Sequence, residues 1–409
     1  MILYLLWFFS SVLIFYGTLN SRRNKQVRAV AVYLIALGIF IGLSDMFGGY
    51  DRYIYAELFD AMADVTRVGG NPWTSYSYAF YGSEFGYGSL CALLTYFTGN
   101  RYIFIFILTM IIYILLIISL REYVDNAPFA VIMFMGLWVF FTFTYLRQVI
   151  GCTVVWLSVK YIIDRNLKMF LLIWFIGFSF HNSVVVFLPM YFLPIRKFKR
   201  EQVALVMIGA LLIGLTSIPQ ELFATYGEMD ADRGNVQGYK MDAGFRWAYL
   251  MEAVFFLYLI LTNYRNISRE KKDVVMLNIA LAFCAILLIF IRSENGGRLG
   301  WMFMIGVMCT LSNICVKRKR VLQHGVLMIA VCLFLFLRIY NAWQVMIALY
   351  PYKTFLTDGY REGDPVHRDF EYDERYDADK FYRPAFWWFG GANYFVNEND
   401  NGNGNANDN

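Results

Sequence analysis

Long apolar blocks separated by short charged knots constrain this chain more than any other feature. The blocks run over about 2–18, 29–45, 101–120, 128–145, 147–163, 169–180, 183–194, 202–218, 246–263, 274–291, 299–315 and 321–340. Most hold about 17–20 residues, which as α-helix matches the ~30 Å hydrocarbon core of a bilayer. A soluble chain carries charge on about a quarter of its positions. Here 16% are charged and 59% are hydrophobic, and the apolar excess lies in the blocks. The expected fold is all-α, a polytopic transmembrane helix bundle of about 12 helices, some short or re-entrant.

The knots between blocks give the orientation. They are Arg22-Arg23 with Lys25 and Arg28, then Arg121, Arg165 with Lys168, and Arg196-Lys197 with Lys199-Arg200. Arg265, Arg269, Lys271-Lys272 and Lys317-Arg318-Lys319-Arg320 complete the series. Counting from an external N-terminus puts every knot inside, as the positive-inside trend requires. The first block is followed, not preceded, by its basic cluster. It therefore reads as a spanning helix rather than a cleaved signal. Blocks 169–180 and 183–194 are too short to span singly, so they are expected to form a tight hairpin or re-entrant pair, with His181 near its outer turn. One continuous helix there would turn the three later knots outward.

The formal net charge of +5 lies in these knots and reports orientation, so no nucleic-acid partner is expected. The six cysteines, Cys91, Cys152, Cys284, Cys309, Cys315 and Cys332, sit in or at the edge of apolar blocks with no metal-ligand spacing. They read as small buried hydrophobes. No metal and no cofactor is expected. There is no Walker A loop, HExxH or GxSxG, and the inner loops are too short for a nucleotide-sugar domain.

A transmembrane domain is expected over 1–350, with outer loops 46–100 and 219–245, and an outer-face polar tail over 351–409. Segment 88–98 is apolar but short, which suits an interfacial or dipping element. The tail is acidic and aromatic over 357–380 and asparagine-rich over 397–409, where disorder is expected.

The candidate chemistry gathers on the outer side. From Asp51 the chain reads as an amphipathic helix, with Ile54, Leu58, Ala61 and Val65 on one face and Tyr53, Glu57, Asp60 and Asp64 on another. Such a helix can lie flat on a membrane. Asp51 is either a helix N-cap behind Gly48-Gly49 or a catalytic or sugar-binding acid, and both can hold. The remaining carboxylates read as a solvated face. Glu84 lies among Tyr81, Gly82, Phe85, Gly86 and Tyr87 and is either a sugar-binding carboxylate, with aromatic faces for sugar C–H groups, or a loop residue with a local hydrogen bond. Tyr53, Tyr55 and Tyr87 join the substrate-binding set.

Arg147-Gln148, Arg246 and Arg298 each open a block on the outer side, and Arg292 closes one. Arginine grips phosphate bidentately, and a helix N-terminus adds free N–H groups. Several such sites suit a lipid-linked pyrophosphate; the alternative is interfacial snorkelling or ion pairing. His181 is either a proton shuttle or a hairpin hydrogen-bonding group.

Gly49-Tyr50-Asp51-Arg52-Tyr53-Ile54-Tyr55, Glu84-Phe85-Gly86-Tyr87, Leu146-Arg147-Gln148, Phe180-His181-Asn182-Ser183 and Tyr350-Pro351-Tyr352-Lys353 occur in this order. In these pieces the chain resembles the EpsG/Wzy-type family of bacterial polysaccharide polymerases. The resemblance implies a GT-C-like helical architecture and an inner-membrane glycosyltransferase. Such an enzyme joins undecaprenyl-diphosphate-linked oligosaccharide repeat units on the periplasmic or outer face, where both termini and the site are placed. It also implies membrane lipids as surroundings, and a chain-length regulator and a flippase as partners. In that reaction Arg147, Arg246 and Arg298 hold the donor diphosphate, and Asp51, Glu84 or His181 accepts the acceptor's proton. The rival readings are a flippase for the same lipid-linked units and an O-antigen ligase-like transferase. The acidic, asparagine-rich tail departs from the family pattern.

Overall fold

The structure is a computed structural model. It describes residues 1–44, 50–221, 244–293, 296–317, 320–345, 349, 352, 354–356 and 383–387. Gly48-Gly49, most of loop 219–245, Asn295, Tyr350-Pro351, Lys353 and the tail segments 357–380 and 397–409 lie outside the described residues.

The principal helices are α1 (Ile2–Thr18), α2 (Arg23–Gly42), α3 (Tyr50–Arg67), α4 (Phe85–Thr95), α5 (Arg101–Tyr123) and α6 (Ala127–Leu137). They continue as α7 (Leu146–Trp156), α8 (Leu167–Phe180), α9 (Arg200–Gly214), α10 (Trp247–Thr262), α11 (Lys271–Ile289), α12 (Gly296–Cys315) and α13 (Gln323–Val345). Every apolar block of the sequence is helical. Six described helices are long and apolar enough to cross a bilayer, over 23–42, 101–123, 146–163, 271–289, 296–315 and 323–342. The rest are shorter. Among the described residues the only strands are Val316–Lys317 and Arg320–Val321, which pair antiparallel. The chain is an all-α polytopic membrane protein. All six cysteines are buried free thiols.

Contacts divide the chain into two units: residues 1–37, 111–142 and 146–342, and residues 38–110, 143–145 and 343–409. In the first, α11 packs on α9, α10 and α12, α7 packs on α8, and α1 packs on α6. The indole N–H of Trp156 on α7 donates to the Met302 carbonyl of α12 at 2.9 Å, satisfying a buried donor that would otherwise cost about 1–3 kcal/mol.

The short pair does fold as a hairpin. Its first arm is α8. Its second, Asn182–Tyr191, is a 3-10 helix. The β-branched run Val184-Val185-Val186 and Pro189 disfavour a regular α-helix there. Ten residues at the 3-10 rise of about 2.0 Å cover about 20 Å. The fourteen α-helical residues of α8 cover about the same. The arms are thus matched, and each falls short of the ~30 Å core. They run antiparallel: Trp174 donates to the Val184 carbonyl at 3.1 Å, and the Phe170 and Tyr191 rings lie 5.0 Å apart. Arg165 ties the open end by donating to the carbonyls of Tyr191 and Leu193.

In the second unit α3 carries the largest revision. The stripe Ile54, Leu58, Ala61 and Val65 is not the buried face. Tyr53, Tyr55, Ala56, Phe59, Met62 and Ala63 are buried, and so is Arg52, with 0% of its surface exposed. Tyr53, assigned above to the polar face, has 3% of its surface exposed. A tyrosine ring buries a large apolar area even when its hydroxyl needs a partner. Hence the aromatic stripe outcompetes the smaller aliphatic one. Phe59 stacks on Phe104 of α5 at 4.1 Å and 6°.

The solvated-face reading of the α3 carboxylates also needs correction. Asp60 pairs with Arg101 at 3.5 Å and is largely buried; Asp64 accepts from Arg383 at 2.6 Å with 48% of its side chain still exposed, and Glu57 is exposed. Arg383 belongs to the tail. It donates to the Gly99 carbonyl at 3.2 Å, while Asn100 donates to the Arg383 carbonyl at 3.1 Å. Trp387 follows: its indole N–H donates to the Thr95 carbonyl at 2.7 Å and its backbone N–H to Phe97. A Cβ at Gly99 would stand 2.2 Å from the Trp387 ring, so only glycine admits this close approach. Earlier in the tail, Tyr352 stacks on Phe40 at 4.2 Å and donates to its carbonyl at 2.8 Å.

Candidate functional site

In the first unit the structure links polar residues of four helical segments. Gln148, on the first turn of α7, is buried. Its amide donates to the Ser183 hydroxyl at 3.2 Å and to the Arg298 carbonyl at 3.1 Å. Ser183 lies 2.7 Å from His181 Nδ1, and its backbone N–H donates to the same nitrogen at 3.1 Å. A nitrogen that accepts a backbone N–H carries a lone pair. The neutral ring therefore holds its proton on Nε2. His181 itself is extended, with φ −158° and ψ 127°, and ends α8. It is the hinge of the hairpin and the N-cap of the 3-10 arm at once.

Close packing puts that hinge beside α7. A Cβ at Gly151 would lie 3.1 Å from Val184 and 3.3 Å from both the Gly177 carbonyl and the His181 Cβ. Glycine at this position lets α7 and α8 approach, as small residues do between membrane helices.

Arg298 leads onward to α10. The Tyr249 hydroxyl is hydrogen-bonded to the backbone of Gly297 and stands in the field of both the Arg246 and Arg298 guanidiniums. Arg246 is the N-cap residue of α10, and its N–H donates to the Ile291 carbonyl at 2.9 Å. Next to that carbonyl, Arg292 donates to the Leu215 carbonyl at 3.1 Å, the C-cap of α9. A cation there satisfies a terminal carbonyl and complements the helix dipole. Arg147, Arg246, Arg292 and Arg298 are all half-buried. Arg246, Arg298, the α10 N-terminus and the Tyr249 hydroxyl are thus gathered, a set suited to an anion, whereas Arg292 is engaged at the end of α9.

In the second unit Asp51 lies in the first turn of α3, half-buried. Glu84 has 1% of its surface exposed and occupies the N-cap position of α4 without a side-chain capping bond. Tyr87 stands between Tyr55 and Tyr81, with ring centroids 5.6 and 5.2 Å away. Tyr53, Tyr55, Tyr81 and Tyr87 are all buried. Tyr55, Tyr81 and Tyr87 form one packed aromatic cluster.

Sequence reasoning missed Ser183, Tyr249, Arg52, Arg101 and Arg383. Arg52 donates to Thr109 at 3.1 Å and lies 5.8 Å from the Phe143 ring. Arg52 continues the helical stripe of Ala56, Phe59 and Ala63, but spacing alone did not mark that stripe as the buried one. Ser183 was flagged only as part of the His181 piece.

A multi-pass helical membrane protein with an arginine-rich polar set is the class these features define. The EpsG family profile matches residues 29–354, so the chain belongs to the EpsG family. That membership suggests a membrane polysaccharide polymerase of the glycosyltransferase kind. No curated protein and no solved structure matches the chain.

Proposed function

We propose that this protein polymerises undecaprenyl-diphosphate-linked oligosaccharide repeat units into a surface polysaccharide or exopolysaccharide, at the periplasmic face of the bacterial inner membrane. The observation that carries the proposal is the connected set Gln148, Ser183, His181, Arg298, Tyr249 and Arg246. Two guanidiniums and a helix N-terminus beside one hydroxyl favour an anionic group such as a diphosphate. In the transfer, an acceptor hydroxyl oxygen bonds to the donor's anomeric carbon. The bond from that carbon to the diphosphate oxygen breaks, and the lipid diphosphate leaves with the electron pair. Arg147, Arg246 and Arg298 stabilise the charge that develops on it. Arg292, engaged at the end of α9, contributes at the margin.

The acceptor's proton goes to a carboxylate. His181 Nδ1 already accepts from Ser183, which leaves the ring a hinge and an Nε2 donor. Asp51, the more accessible of the two acids, is the favoured base, with Glu84 the other candidate. Tyr53, Tyr55 and Tyr87 shape the carbohydrate side, and Gln148 positions the Arg298 turn.

The test is the purified chain in liposomes with a matched lipid-linked repeat unit. Lengthening of the glycan with release of lipid diphosphate supports the proposal. No lengthening with the native repeat unit supplied refutes it. A deletion strain separates the rival: loss of a polymerase leaves single repeats on the surface, and loss of a flippase leaves none.

A further inference from the structure

The first unit holds a polar cavity that the proposed reaction does not use. Its volume is about 170 Å³, and its lining includes Asn263, Asn266, Asp273, Thr310, Asn313 and Lys317. These residues come from the ends of α10, α11 and α12 that carry the basic knots. By the sequence-based orientation this is the inner side.

Two acceptor oxygens in the lining lack donors. Asp273 Oδ1 and Thr310 Oγ1 are both buried and make no hydrogen bond, and Thr310 as a whole has 5% of its surface exposed. A buried acceptor without a donor is costly, and it signals either a fault or a ligand. Two nearby lysines are committed elsewhere. Lys272 pairs with Asp125 at 2.8 Å, and Lys197 donates to the Ile267 carbonyl at 2.7 Å. Asn126 donates to Asn313 at 2.9 Å, which fixes one amide of the wall. Lys317 is left on the same wall with three N–H donors. The cavity thus offers acceptors at Asp273 and Thr310, a cation at Lys317 and an amide donor at Asn266, while the Asn263 amide is spent on Leu259 and Thr262.

We infer that the cavity binds a primary-ammonium phosphate zwitterion, the chemistry of a phosphoethanolamine head group. The ammonium donates to Asp273 and Thr310, and the phosphate meets Lys317 and the Asn266 amide. A quaternary ammonium has no N–H and cannot satisfy those two oxygens. A purely anionic head group meets the Asp273 carboxylate unfavourably.

The full chain in detergent is titrated with phosphatidylethanolamine, phosphatidylcholine or phosphatidylglycerol. Retained lipid is counted by native mass spectrometry. The expected preference for the ethanolamine lipid over the choline lipid is about tenfold, the scale of one hydrogen bond to a charged group. Asp273→Asn and the isosteric Thr310→Val should each bring that ratio close to one. Equal retention of ethanolamine and choline lipids overturns the inference, as does strongest retention of phosphatidylglycerol or an unchanged ratio in both variants. Free phosphoethanolamine separates the sources. If it competes with the lipid, the head group alone is the ligand; if it does not while the preference stands, the ligand is the lipid.

Discussion

The two units handle buried polarity in opposite ways. In the unit built on α7, the hairpin, α10 and α12, the deepest polar contacts are neutral: an amide, a hydroxyl and an imidazole passing hydrogen bonds to backbone carbonyls. In the unit built on α3, α4 and the tail, full charges are buried. Arg52 and Glu84 have 0% and 1% of their surface exposed, and Arg101 and Arg383 have 5% and 8%. Neutral hydrogen bonds survive the loss of one partner at about 1–3 kcal/mol. A buried charge stripped of its partner costs about 3–5 kcal/mol. The first unit should therefore tolerate substitution and the second should not.

The largest expected effect tests whether the buried carboxylates are chemical or structural. Asp51→Asn or Glu84→Gln should lower polymerisation about 10²–10⁴-fold in the one that is the base, with the protein still in the membrane. His181→Ala should cost far less. Glycan length in reconstituted liposomes gives the answer, and normal polymer from both carboxylate variants would remove the base from this pair.

Next comes the tail anchor. Trp387→Ala removes a buried indole and its bond to Thr95, which should lower stability by about 3–5 kcal/mol. Thermal unfolding of the purified chain measures it. An unchanged midpoint would show that the tail is not held there.

Gly151→Leu should cost about 1–3 kcal/mol, because the α7 and α8 backbones cannot separate without moving His181. Gln148→Leu should cost about 1–2 kcal/mol, since the Arg298 carbonyl and Ser183 lose a donor. A loss from Gln148→Leu larger than that from Trp387→Ala would reverse the comparison between the units.

The smallest effect sharpens the assignment of the arginines. Lysine at position 292 can still donate to the Leu215 carbonyl, so Arg292→Lys should leave polymerisation within about twofold. Lysine at 298 cannot make a bidentate phosphate contact, so Arg298→Lys should lower it about tenfold. Equal responses at both positions would place Arg298 among the merely structural arginines.

Much of this was legible in the chain. Block length announced the helices, because crossing or packing in a bilayer demands a set number of apolar residues. The short pair around His181 announced the hairpin, because neither arm could span alone. Tyr81 and Tyr87 announced an aromatic cluster, which Tyr55 joins. The face of α3 was not legible: Ile54-Leu58-Ala61-Val65 and Arg52-Ala56-Phe59-Ala63 have the same helical spacing. Nothing local says which stripe meets α5.

Sequence by itself determined the elements, their number and their apolar character, since those depend on neighbours along the chain. Tertiary structure alone decided which partners the polar groups found. Asp64 and Arg383 are far apart in sequence, as are Gln148 and the Arg298 carbonyl, yet each pair shares a hydrogen bond. A buried charge or amide is stable only where its particular partner arrives. That arrival is set by how helices pack, not by the order in which residues are written.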